Sequence, residues 1–187
     1  MKRHPQKGFS LIELATVVAL IGVLLAVALP AITDWIATQR VRTAAEGVLN
    51  GLQLARGEAV RQNTLADLQI GADGISWNVV VNGVTVQTRG ADAGGGVTVT
   101  ASLDGATAIA FPSTVTFNGV GRVITPTAVP PNAFGIQYSS SVTGVRRMCV
   151  AILSNTPKMC DPKLTDTSDP RGCFVGGVRV ASCPAPI

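Results

Sequence analysis

Histidine is nearly missing from this chain: its 187 residues hold one, His4, within a short basic start. Without a second histidine no Ser/His/Asp or Cys/His site can be built. A glycine-rich phosphate loop is also lacking, since neither a Walker sequence nor GxGxxG follows a strand-like run. No CxxC pair occurs, so with histidine scarce a zinc site has no sequence support. Asp67, Asp73, Asp92 and Asp104 are scattered through glycine-rich contexts, where aspartate serves turns. These absences argue against an enzyme and leave no cofactor to expect. Tandem repeats are absent as well. Charge is sparse at 14%, and the net +4 arises largely from Lys2, Arg3 and Lys7. Removing those three from 15 basic residues leaves 12 against 11 acidic ones, a nearly neutral body with no strong nonspecific grip on nucleic acid.

What the chain does have is one long greasy run. Residues 14–32, LATVVALIGVLLAVALPAI, carry no charge. At ~1.5 Å per residue they reach about 28 Å, close to the ~30 Å hydrocarbon thickness of a bilayer. A single membrane crossing follows, with Trp35 as an interface anchor. Glu13 stands just ahead of this run, although a carboxylate within a membrane helix costs roughly 2.5–3.5 kcal/mol. Such a residue calls for a partner. An ordinary secretory signal places its cleavage site after the apolar stretch. Here Gly8 closes the basic start MKRHPQK before that stretch begins, so cleavage would leave the helix on the mature protein.

Beyond Pro30 the pattern turns amphipathic, with Val41, Ala44, Val48, Leu52, Ala55 and Ala59 on one helical face. A helix over 9–63 is predicted, ending at Asn63. Pro30 should kink or locally melt it, and Gly22 permits close approach of a neighbour. WNVVVNGVTVQT then carries an Asn82-Gly83 turn between alternating valines, a strong hairpin signal. VTVT at 97–100, STVTFNGVGRVIT, FGIQYSS and VRRMCVAIL read as further short strands. The expected class is α+β: a long amino-terminal helix packed on a carboxy-terminal antiparallel β-sheet, with residues 64–187 as the β-rich domain. Cys149, Cys160, Cys173 and Cys183 all fall in the last 39 residues. An even, clustered set beside a membrane segment implies two disulfides in an oxidising compartment such as a periplasm. Pairing Cys149 with Cys160 and Cys173 with Cys183 is the simplest of three connectivities, among which sequence does not choose.

The junction GFSLIE, basic before it and apolar after it, resembles the class III leader of type IV pilins and type II secretion pseudopilins. That resemblance implies a leader at 1–8, cut after Gly8 by a prepilin peptidase, and methylation of the new amino terminus on Phe9. It also gives Glu13 a role, neutralising the terminal ammonium of a neighbouring subunit, as two charges leaving water together require. LQLARGEAVRQN, VTFNGVGRV and CVAILSNTPKMCDP narrow the resemblance to the GspH/FimT family of minor pilins and pseudopilins. It implies a low-copy, single-pass inner-membrane protein with a periplasmic domain, partnered by other pilins or pseudopilins.

Some members of the FimT branch bind DNA through a Gly-Arg-x-Arg motif just before a cysteine. Ahead of Cys160 this chain has Asn155, Thr156, Pro157 and Lys158, so one charge of that motif remains. A substitute cluster of Arg146, Arg147 and Lys158 would form if a disulfide joined Cys149 to Cys160, offering contact to phosphates of double-stranded DNA. The alternative is that these charges guard an edge strand against unwanted pairing.

Overall fold

A computed structural model describes residues 9–91, 95–102, 107–125, 134–153, 156–175 and 177–183; the side chains of 27–31, 125, 153 and 175 fall outside that description. One helix, α1 (Leu11–Gln62), opens the chain. Among the described residues twelve strands follow: β1 (Ala66–Ile70), β2 (Trp77–Val81), β3 (Val84–Arg89), β4 (Val97–Ser102), β5 (Ala108–Ile109), β6 (Ser113–Phe117), β7 (Val123–Thr125), β8 (Phe134–Ser140), β9 (Met148–Leu153), β10 (Thr156–Cys160), β11 (Phe174–Val175) and β12 (Val178–Arg179). Two compact units divide the chain, Met1–Ile36 and Ala37–Ile187.

In the first unit the apolar side chains stand exposed, Leu20 at 65% and Leu24 at 69%. A Cβ on Gly22 would meet nothing within 4 Å, so this glycine answers no need of its own chain. Of the two effects expected of Pro30, a kink or local melting, the second is not seen, since the backbone is helical through it. Among the described residues no helix is long and apolar enough to cross a membrane. The expected span, 14–32, includes 27–31, whose side chains lie outside the described residues, as does the leader 1–8.

The second unit shows why the helix needs its small residues. Val41, Ala44, Val48, Leu52, Ala55 and Ala59 are all completely buried, joined by Ala45. These positions form the predicted stripe, and the sheets pack on it. Trp77 is the main filler: its ring lies against Gly51 and its Nε1–H donates to the Gly47 carbonyl at 3.0 Å. A Cβ on Gly51 would stand 2.9 Å from two central atoms of that ring. Gly51→Ala therefore trades a helix-propensity gain of about 1 kcal/mol against a forced shift of a rigid indole. A net loss of about 1–2 kcal/mol is expected in chemical unfolding, and a gain would contradict this packing.

Asn63 ends the helix as predicted, in the left-handed region at φ 48°, with Thr64 N–H donating to the Ala59 carbonyl at 3.1 Å. The Asn82-Gly83 turn also forms, both residues having positive φ (51° and 77°), which matches the twist of the β2–β3 hairpin. Alternation then does its work. Ala66, Leu68 and Ile70 of β1, and Trp77, Val79 and Val81 of β2, turn inward.

The single expected sheet is in fact two, plus a ribbon. One sheet runs β3-β2-β1-β6-β7, the other β10-β9-β8-β4-β5, and β11 pairs with β12. After β3 the chain leaves for a new sheet at β4, returns for β6 and β7, and leaves again for β8. Periodicity reveals strands but not these crossings. Both sheets turn residues into one core, Leu68 and Phe117 from the first, Ile136 and Tyr138 from the second. Tyr138 is fully buried, its hydroxyl donating to the Gly74 carbonyl at 3.2 Å, and burial pushes its pKa up so that it stays neutral.

Candidate functional site

The amino-terminal candidates begin outside the described residues with Gly8; Phe9 follows, 90% exposed. Ser10 caps α1: its Oγ accepts from the Glu13 N–H at 3.2 Å. Ser10 to Glu13 thus reads S-x-x-E, the capping-box spacing, a signal present in the sequence and missed there. The glutamate sits in the first helical turn, where its charge also complements the helix dipole. Glu13 therefore has a local role besides any role toward a neighbouring subunit.

At the other end, four cysteines form two disulfides, in a nested rather than a sequential order. Cys149 bonds Cys183 and Cys160 bonds Cys173, with Cα separations of 5.9 and 5.1 Å. This corrects the simplest pairing. Cys149 and Cys160 are direct partners in the β9–β10 ladder, and the chain after β10 doubles back over that hairpin. A segment folding back meets Cys160 first, through Cys173, and Cys149 last, through Cys183, which yields a nested order.

The basic candidates help hold this returning segment. Arg146 Nη1 lies 3.7 Å from Asp161 Oδ2, and Asp161 is buried at 7% exposure while its Oδ1 accepts from the Lys163 N–H. Lys158 Nζ donates to the Gly172 carbonyl at 3.5 Å. Arg179, singled out by no motif, donates to the carbonyls of Pro162 and Leu164 at 3.0 and 2.9 Å and covers the Phe174 ring at 4.6 Å. Arg171 binds Asp169 with both ends, and its hydrogen bonds hold that half-buried carboxyl down at about 2.

Arg146, Arg147 and Lys158 do not come together. Lys158 faces Ala151, which puts it about 13 Å along the ladder from Arg147 at ~3.3 Å per residue. The condition for their cluster, a Cys149–Cys160 disulfide, is not met. Arg147 is exposed and has no ion pair among the described residues. β10 is an edge strand carrying Pro157 and Lys158, both of which discourage further pairing, in line with the edge-guard reading. A cleft of about 360 Å³ opens between Arg42 of α1 and this segment, floored by Met148 and Met159. Its rim arginines each face a carboxylate: Arg42 with Glu46, Arg146 with Asp161, Arg171 with Asp169. The cleft is balanced in charge and offers no nucleophile.

A long helix, a β-rich body packed on its second half and a capped, glutamate-bearing first turn set the frame for comparison with known proteins. The family described as Type II transport protein GspH matches residues 44–156. The chain belongs to that family. A prokaryotic N-terminal methylation motif matches residues 3–29 ahead of it. The type IV major fimbrial protein FimA of Dichelobacter nodosus is 55% identical over 56 residues, 30% of this chain and 31% of that protein. A fimbrial protein of Moraxella nonliquefaciens is 48% identical over 56 residues, 28% of this chain and 36% of its own length. The GspH-family chain thus spans about a third of these relatives. A crystal structure of the type IV minor pilin FimU of Pseudomonas aeruginosa aligns with a TM-score of 0.47 and 19% identity, over 73% of this chain and 96% of that one.

This GspH-family chain is a type IV pilin-like protein that carries an N-terminal methylation motif. The family match runs from the buried stripe of α1 to the start of β10 and ends ahead of Cys160. The stapled tail that occupies Arg146, Lys158 and Arg179 therefore begins at the edge of the shared region.

Proposed function

We propose that this GspH-family chain is a minor type IV pilin: a low-copy subunit that helps prime or cap a pilus. In this reading a prepilin peptidase cuts after Gly8 and Phe9 is methylated. Residues 14–32 hold the subunit in the inner membrane with its β-rich domain in the periplasm. Glu13 meets the new amino terminus of a neighbour, and Gly22 leaves room for that neighbour's helix. The observation carrying the proposal is the methylation motif at 3–29 on the same chain as the family match at 44–156, joined by one helix. DNA contact is not part of the proposal, because Arg146 and Lys158 are engaged with the chain's own tail.

A second reading, a minor pseudopilin of a type II secretion system, is favoured by the description of the matching family itself. A deletion strain separates the two. Lost surface pili and twitching with normal protein secretion support the minor pilin; lost secretion with normal pili supports the pseudopilin. A strain normal in both contradicts each.

A further inference from the structure

The two disulfides share one sulfur cluster. The Sγ atoms of Cys149, Cys160 and Cys183 lie within 4.8 Å of one another; that of Cys173, bonded to Cys160, stands just outside this group. All four cysteines are buried, at 3% exposure or less, and Ala151 and Val180 complete a dry shell around them. We propose that, before its disulfides close, the chain holds a zinc-class divalent cation in a tetrathiolate site at this cluster. A tetrahedral site with metal–sulfur bonds of ~2.3 Å needs sulfurs about 3.8 Å apart, so in the reduced chain the Cys173 sulfur must swing in to join the other three. The site requires no histidine, and no CxxC announces it. Strand register gathers its ligands: Cys149 and Cys160 face each other across β9 and β10, while the returning segment delivers the other two.

Two features around the cluster suit a site of four thiolates and one dication, which carries net negative charge. Ser182, 2% exposed and next to Cys183, has a hydroxyl with no hydrogen-bond partner among the described residues, a spare donor for sulfur. Lys158 reaches the carbonyl of Gly172, beside Cys173, and places a positive charge near the site. In the newly made chain all four thiols are free. Metal binding there would hold the tail on the β9–β10 hairpin while the thiols remain reduced.

The test uses the full chain in detergent, reduced with a phosphine under anaerobic conditions and titrated with Cd²⁺. The expected result is one Cd²⁺ per chain with a thiolate-to-metal charge-transfer band, displacement by Zn²⁺, and four cysteines protected from alkylation. The disulfide-bonded chain should take up none, and Cys149→Ser should weaken binding by about 10-fold or more. Circular dichroism guards against loose thiol chemistry: if reduction unfolds the chain, the metal must restore its β signal. Absence of the band overturns the proposal, as does equal affinity in Cys149→Ser, equal uptake by the oxidised chain, or binding that leaves an unfolded chain unfolded.

Discussion

Glu13→Ala leaves cleavage after Gly8 intact and lowers incorporation into filaments by roughly two to four orders of magnitude. The size follows from charge pairing: removing one partner of a pair that must leave water strands the other, at about 3–5 kcal/mol. In the proposed filament the stranded partner is the amino terminus of a neighbouring subunit. The structure supplies a rival explanation, because Glu13 also stands at the third position of a capping box begun by Ser10. Glu13→Gln separates the two, since glutamine serves a capping box as well as glutamate but carries no charge. If pairing governs assembly, Gln fails as badly as Ala in a count of incorporated against membrane-retained subunits. Restored incorporation with Gln would assign Glu13 to helix capping alone.

The second large effect lies in the β-rich unit. Trp77→Ala costs about 3–5 kcal/mol, because a residue 4% exposed is replaced by a cavity between α1 and β2. Set against a typical total stability of ~5–15 kcal/mol, that brings the domain near its unfolding threshold. Small residues make the hole hard to close: Gly47 and Gly51 on the helix have no side chain to move into it. Trp77→Phe should cost less, about 1–2 kcal/mol, keeping a ring against Gly51 while losing the donation to the Gly47 carbonyl. Urea unfolding followed by circular dichroism measures both. A loss below ~1 kcal/mol for Trp77→Ala would show that the indole is not the filler it looks to be.

Much of this architecture was legible because the signals were local. Six buried helix positions, the Asn63 stop and the Asn82-Gly83 hairpin each follow from spacing or from one residue's preferred φ. What escaped was non-local. The split into two sheets depends on the chain's crossings between them after β3, β5 and β7, which alternation cannot report. The nested disulfides depend on a tail that reverses over β9 and β10, whereas sequence distance favours neighbours. Arg146 and Lys158 looked free because Asp161 reaches Arg146 only across the β9–β10 hairpin, and the Gly172 carbonyl reaches Lys158 only through that reversal. Ser10 is a different case: its capping role was local and readable, but the more conspicuous Glu13 drew the attention.

The central claim is that the apolar amino-terminal helix survives maturation and is carried into a filament. Intact-mass and amino-terminal analysis of the protein extracted from membranes and from sheared filaments tests it most directly. The account predicts a chain that begins at Phe9, bears one added methyl group and retains residues 14–32. A mature protein starting beyond residue 32, or one assembled with residues 1–8 still attached, would contradict it.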